Sequence, residues 1–232
     1  MKKIGLIGGL SWQSSLDYYR IINELVAKRL GGQHSAVCIM YSVDLDPILI
    51  YRDSGEWHKN TEILADAISK VEAAGADFTL ICSNTMHKTY EDIQVLVKKP
   101  ILHITDVLAK EIKKRGYQKV GLLGTRFTLN ESFYKERLRL LHNIEAIIPK
   151  REEDVQFVHD VIYYELDYAI IKPKSRDRYV RIIEDMWQEG AEAVILGCTE
   201  IQMLVQQEHT KVPLLDSTLL HATAAVDLAL GE

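Results

Sequence analysis

Three short blocks of sequence occur twice in the same order, and this repeat constrains the fold more than any other feature. The paired blocks are Ile4–Gly8 with Val120–Gly124, Gly75–Ser83 with Gly190–Cys198, and Pro100–His103 with Pro213–Asp216. Each block is an apolar run that ends in glycine or a polar residue, a pattern typical of buried strands in parallel sheets. One such match arises easily by chance, but three in register indicate an internal duplication.

Segments with helical periodicity separate the predicted strands. The first predicted helix follows the polar turn at Ser11–Ser15 and ends at about Leu30. Further helices are predicted over Glu56–Ala73, 129–142, 151–171 and 175–188. This alternation predicts an α/β protein with two pseudo-symmetric parallel-sheet lobes. We expect residues 1–107 and 217–232 to form the first lobe and 108–216 the second. The final helix, Ser217–Leu230, is expected to pack back on the first lobe.

The repeat places Ser83 and Cys198 at equivalent strand ends. Ligands of parallel sheets bind beyond the carboxyl ends of the strands, so the predicted active site is the cleft between the lobes. Each strand end leads into a predicted helix, whose first backbone N–H groups are free to bind a carboxylate. A thiol has an ordinary pKa of about 8.5, which falls near a helix N-terminus, so Cys198 is a plausible base. Ser83 is a poor base but can donate a proton.

Composition excludes several other classes of protein. The net charge of −5 comes without a basic stripe, so we expect no nucleic-acid partner, and no apolar run is long enough to cross a membrane. The start of the chain has no signal peptide pattern, which predicts a cytoplasmic protein. The three cysteines form no C-x-x-C pair, so neither a disulfide framework nor a metal site is expected. No dinucleotide or P-loop motif is present, and no lysine lies in a context that suggests pyridoxal phosphate, so no cofactor is expected.

Five motifs together resemble the aspartate/glutamate racemase family over nearly the whole chain. They are Ile4–Trp12, Cys82-Ser83-Asn84-Thr85-Met86-His87, Gly124-Thr125, Leu196-Gly197-Cys198-Thr199-Glu200, and Asp216–His221. The opening motif and Ser42-Val43-Asp44 are similar to the branch that acts on L-aspartate and L-glutamate. The resemblance implies a cofactor-independent, two-lobed α/β enzyme with a small amino-acid substrate, and often a homodimer.

Two residues depart from the pattern of this family. Most members have cysteine where this chain has Ser83, although the L-specific branch carries threonine there. Adjacent side chains on a strand face opposite sides, so we expect Cys82 to face the core and not to replace the missing thiol. The resemblance then implies that Cys198 removes the α-proton of the L-enantiomer and Ser83 returns one from the other face, with the reverse direction slow. The second departure is Asp167, where relatives often carry lysine.

The resemblance and the residue types also suggest supporting roles. Asn84, Thr85 and Thr199 are expected to bind the α-carboxylate. Leu10, Ser11 and Thr125 match positions where the family contacts substrate. Arg52 is a candidate for the side-chain carboxylate, with a solvated loop arginine as the alternative. His87, Glu200 and His221 are candidates for supporting the reactive groups, with His87 alternatively a capping or core histidine.

Two other functions are compatible with one thiol and one hydroxyl. A decarboxylase of the same superfamily uses a single cysteine at the second position to protonate an enolate. A degenerate member would bind a dicarboxylate or amino acid without catalysis. The Asn84–His87 motif favours the racemase over the decarboxylase.

Overall fold

The computed structural model describes residues 1–231 and divides into two compact units. The first contains Met1–Ile104 together with the segment from His221 onwards, and the second contains Thr105–Leu220. Each unit is built on one parallel sheet flanked by helices. The predicted α/β class with two parallel sheets is therefore confirmed.

The sheet of the first unit has the strand order β2-β1-β3. The strands are β1 (Ile4–Gly8), β2 (Cys38–Ser42) and β3 (Phe78–Ile81). The helices that accompany them are α1 (Trp12–Leu30), α2 (Leu45–Asp53), α3 (Trp57–Ala73) and α4 (Tyr90–Gln94). Every residue of β1 and β3 is buried, which explains why both read as continuous apolar runs.

The sheet of the second unit has the strand order β5-β4-β6-β7. Its strands are β4 (Lys119–Leu123), β5 (Glu145–Ile147), β6 (Ala193–Leu196) and β7 (Leu214–Asp216). Its helices are α5 (Ile104–Lys114, beginning at the unit boundary), α6 (Arg126–Asn130), α7 (Ser132–His142), α8 (Glu152–Tyr164), α9 (Pro173–Gln188) and α10 (Ile201–Leu204). The central strand β4 occupies the place that β1 has in the first unit, as the repeat predicts.

The structure corrects several predicted element bounds. The helix predicted over 151–171 ends at Tyr164, and the chain continues through a 3-10 turn at Leu166–Tyr168 and a left-handed residue, Ala169. The next helix begins two residues earlier than predicted, at Pro173, because proline needs no N–H partner in a first turn. The strand β5 was not predicted, since three residues are too few to show a period.

Two segments that follow β3 also differ from prediction. The chain after Ser83 forms a 3-10 turn at Thr85–Thr89 before the single-turn helix α4, where one longer helix was expected. The first proline block makes only an isolated bridge, Ile101 to Thr79, whereas its counterpart is the strand β7.

The last helix, α11 (Ser217–Leu230), completes the core of the first unit. Ala222, Ala225 and Val226 are fully buried there with Ile4 and Tyr18. The backbone N–H of Lys2 also donates to the carbonyl of Ala229 at 2.8 Å. The prediction that this helix packs on the first half of the chain is confirmed.

Candidate active site

Cys198 lies just beyond the end of β6, in the turn that leads to α10. The turn is tight, because the N–H of Gly197 donates to the carbonyl of Leu123 at 2.7 Å. A Cβ atom at Gly197 would lie 2.7 Å from the same oxygen, so a larger residue would push the two strands apart. Glycine therefore allows the close approach of β4 and β6 directly before Cys198.

The thiol of Cys198 is held by a carboxylate two residues later. Its Sγ donates to Oε2 of Glu200 at 2.8 Å, and Glu200 is buried. Burial raises the pKa of Cys198 well above its ordinary value, and the charge and hydrogen bond of Glu200 and the charge of Asp167 raise it further. The N-terminus of a helix would act in the opposite direction and lower this pKa. The following helix has only four residues, and the nearby negative charges outweigh its dipole.

Asp167 is the second carboxyl group near the thiol. It lies half-buried in the 3-10 turn at Leu166–Tyr168. Burial and the charge of Glu200 raise the pKa of Asp167 to about 7. The charge of Glu200 thus acts on both the Cys198 thiol and the Asp167 carboxyl group. The sequence singled out Asp167 only as a departure from the family, because no local pattern links it to Cys198.

Ser83 follows β3 in the first unit and is partly exposed. Its carbonyl oxygen lies 2.7 Å from Nδ1 of His87, and Nε2 of His87 accepts from the N–H of Ile104 at 3.3 Å. These two contacts require the proton on Nδ1. Through them His87 stabilises the turn that carries Ser83. Cys82 is fully buried in the core, where burial raises its thiol pKa. The prediction that Cys82 faces the core is confirmed.

His221 makes contacts that the sequence did not suggest. Its Nδ1 lies 2.8 Å from the hydroxyl of Tyr18, and its Nε2 lies 2.8 Å from the carbonyl of Leu102. The hydroxyl donates to Nδ1 while Nε2 donates to the carbonyl, so both ring nitrogens are used within the first unit. Burial lowers the pKa of His221 to about 3, which keeps the ring neutral. The expected role of His221 in supporting Cys198 stays a prediction.

Arg52 is not the solvated loop arginine offered as an alternative. It lies in α2, is only 8% exposed, and donates from Nε to Oδ1 of Asp53 at 2.9 Å. An arginine buried at this level is held by the protein and has a restricted orientation.

The remaining predicted residues follow neighbouring strands. Ile7 of β1 lies opposite Ile81 of β3, so the turns that carry Leu10, Ser11, Asn84 and Thr85 emerge from the same sheet edge. Leu10 and Asn84 are buried, and the hydroxyl of Ser11 caps α1 by accepting from the N–H of Ser14.

The second unit repeats this arrangement. Leu123 of β4 lies opposite Leu196 of β6, and Thr125 and Thr199 lie in the turns that follow these two strands. Both threonines are buried. Each unit thus gathers its own predicted site residues at the carboxyl edge of its sheet, where ligands of parallel sheets bind.

Neither a metal centre nor a membrane span is found in residues 1–231. No three histidine, cysteine, aspartate or glutamate side chains among them are grouped to hold a metal ion. Within the same range, no helix is both long and apolar enough to cross a bilayer.

Comparison with known proteins gives one consistent family. The sequence profile of the Asp/Glu/Hydantoin racemase family matches residues 7–225. The chain is 25% identical to the broad specificity amino-acid racemase RacX of Bacillus subtilis strain 168, over 98% of each chain.

Solved structures agree with the sequence comparison. A crystal structure of a candidate Asp/Glu racemase from Yersinia pestis is 45% identical, with a TM-score of 0.94 over 99% of this chain and 100% of that one. An aspartate racemase homologue from Pyrococcus horikoshii OT3 is 33% identical, with a TM-score of 0.87 over the same shares of the two chains. The protein therefore belongs to the Asp/Glu/hydantoin racemase family, and its relatives place it among the isomerases.

Proposed function

We propose that this protein racemises an α-amino acid by moving protons at Cα, with Cys198 as the base for the L-enantiomer and Ser83 as the donor from the other face. The observation that carries the proposal is the Cys198 thiol, which stands at a strand end with its proton hydrogen-bonded to Glu200. Membership of a racemase family supplies the reaction class. L-aspartate and L-glutamate, predicted from the sequence, are the first substrates to test.

The raised pKa of Cys198 requires a route by which the thiolate forms. Glu200 accepts the thiol proton along the existing 2.8 Å hydrogen bond. The sulfur then takes the proton from Cα, and the hydroxyl of Ser83 gives a proton to the opposite face of the resulting carbanion. Water reprotonates Ser83 and takes up the proton held by Glu200, so no proton is gained or lost over a full cycle.

Backbone and hydroxyl groups of the two turns support the developing charge. Removal of the α-proton places negative charge on the substrate carboxylate, and fixed hydrogen-bond donors stabilise this charge more than they stabilise the ground state. Asn84, Thr85 and Thr199 are our candidates for these donors. In the resting protein Asn84 and Thr199 are buried, so little reorganisation is needed.

The decisive experiment follows loss of the α-proton signal by proton NMR in D₂O, with L- and D-aspartate and L- and D-glutamate supplied separately. We expect exchange from the L-forms, slower exchange from the D-forms, and none with Cys198→Ala. Cys38→Ala is the matched control, since this thiol lies in β2 and has no assigned role, so its loss should not stop exchange. Exchange that persists in Cys198→Ala would contradict the assigned base.

The same samples distinguish the two other functions considered for this sequence. Release of carbon dioxide from a substituted malonate would indicate the decarboxylase. Tight amino-acid binding with no exchange from any enantiomer would indicate a non-catalytic binder. Either result would replace the racemase proposal.

A further inference from the structure

We propose that Asp167 determines substrate specificity, favouring side chains that carry positive charge or donate hydrogen bonds over side chains that carry a second carboxylate. The inference rests on the proposed function, because it takes Cys198 as the group that acts on Cα. It goes further by naming the class of side chain and the residue that selects it.

The packing of one short turn places Asp167 near the reactive thiol. Leu166 is 1% exposed and belongs to the same hydrophobic core as Ile201 and Leu204 of α10. Cys198 packs against this core as well. The turn at Leu166–Tyr168 is therefore fixed against the helix that begins directly after Glu200. The arrangement leaves Asp167 within electrostatic reach of both Glu200 and Cys198.

Asp167 is also accessible to a ligand. Its side chain is half-buried, and the next residue, Tyr168, is 73% exposed. A carboxyl group in this position faces partly towards solvent while its charge acts on the buried Glu200. A substrate held with Cα at Cys198 would extend its side chain through these surroundings.

The charges there disfavour a second carboxylate. Asp167 and Glu200 already repel each other, which contributes to the raised pKa of Asp167. In the proposed reaction the thiol proton moves to Glu200, so a negative charge stays on the pair and shifts from the carboxylate to the sulfur. A further carboxylate would increase this repulsion in a partly buried region where charges interact strongly. An ammonium, guanidinium or amide group would instead relieve it.

The test compares amino acids of similar length but different charge. Initial rates of α-proton exchange are measured with L-glutamate, L-glutamine and L-lysine for the wild type and for Asp167→Asn and Asp167→Lys. We expect kcat/KM for lysine and glutamine to exceed that for glutamate by about tenfold or more, a common scale for pocket discrimination. Asp167→Asn should reduce the preference for lysine, and Asp167→Lys should reverse it in favour of glutamate. Asp177→Asn, an exposed position on α9, is the matched control and should leave all ratios unchanged.

A binding measurement separates failure of the inference from failure of the proposed function. Calorimetric titration of L-lysine and L-glutamate into Cys198→Ala, with and without Asp167→Asn, reports selectivity without turnover. A lysine preference that falls with Asp167→Asn supports the inference even if the wild type exchanges no α-proton, a result that would overturn racemisation alone. Preference for glutamate in the wild type, or ratios that do not change with Asp167→Asn, would overturn the inference. Absence of binding by both amino acids would overturn the inference.

Discussion

A single proton lies between the sulfur of Cys198 and the carboxylate of Glu200, and its position controls the reactivity of the thiol. A thiolate is the nucleophilic and basic form of cysteine, yet the surroundings here favour the thiol. The same carboxylate that opposes the thiolate also provides the acceptor that allows it to form. Glu200 thus has two opposing effects, which mutation can separate.

Glu200→Gln should lower the pKa of Cys198. Glu200 raises this pKa through its charge and its hydrogen bond, so a neutral amide leaves more thiolate at any given pH. The rate of alkylation of Cys198 by iodoacetamide should therefore begin to rise at lower pH than in the wild type. Cys198→Ala supplies the background from the other cysteines. An unchanged alkylation profile would show that Glu200 does not control the thiol.

The same variant should lose catalytic activity even though its thiol ionises more readily. The amide of glutamine cannot hold the proton that leaves the sulfur. We expect α-proton exchange to slow by about a hundredfold, within the usual range for loss of a general base. Fast exchange in Glu200→Gln would mean that water takes the thiol proton directly.

Ser83→Cys should make the reaction more symmetric. A thiol ionises far more readily than a hydroxyl, so the residue at this position would become an effective base towards the D-enantiomer. We expect α-proton exchange from the D-form to increase by about tenfold or more, within the usual range for an effective acid–base group. Ser83→Ala should lower exchange from the D-enantiomer and conversion of L to D, while Cys198 still exchanges the α-proton of the L-enantiomer. Equal D-form rates in the wild type and in Ser83→Cys would show that another group acts on that face.

At the scale of elements, a buried hydrogen bond joins the first helix to the last. Tyr18 of α1 and His221 of α11 are both fully buried, and their polar atoms lie 2.8 Å apart. The ring of His221 also contacts the ring of His87, and the two centroids lie 5.7 Å apart. His87 is the residue that stabilises the turn at Ser83. This contact chain connects the packing of α11 to the turn that carries Ser83.

Tyr18→Phe should destabilise the protein by about 1–3 kcal/mol, the usual cost of leaving a buried acceptor without its donor. The free energy of unfolding is measured by urea titration, followed by circular dichroism. Tyr19→Phe, next to it on the same helix but 48% exposed, is the matched control and should change little. Equal effects of the two substitutions would mean that the hydrogen bond to His221 contributes nothing measurable.

The sequence predicted elements best where burial is continuous. Strands such as β1 and β6 are buried at every position, and they read clearly as apolar runs. The strand β5 is short and exposed at Glu145, so it has no period to detect. The break at Leu166–Tyr168 was missed because it depends on a left-handed Ala169, a conformation that alanine does not signal.

The candidate site was predictable in its local parts and not in its long-range contacts. The turn residues around Ser83 and Cys198 stand out as polar positions after apolar strands. Their neighbours in space do not: Asp167 reaches Cys198 only through the packing of a turn against α10, and no local pattern links His221 to Tyr18 or Leu102. Such contacts arise from tertiary packing, which a local pattern does not contain.

At the scale of the whole molecule, we predict a homodimer. The helix α1 exposes Trp12, Leu16 and Tyr19 at spacings of one helical turn, and an apolar face of this kind is a common site of association. Light scattering after size exclusion should give twice the mass of one chain, and the melting temperature should rise with protein concentration. Leu16→Glu should lower the mass towards that of one chain. A single-chain mass for the wild type at every concentration would contradict the prediction.

The closing of the first unit by α11 has a consequence for synthesis. A ribosome delivers the whole of the second unit, Thr105–Leu220, before it delivers the buried residues of α11 that complete the first, among them Ala222, Ala225 and Val226. The first unit, although most of it is made earlier, keeps an open apolar face until the second unit has been made and α11 follows it. A premature stop after Leu220 would therefore leave the later-made unit whole and expose the earlier one to chaperones and proteases.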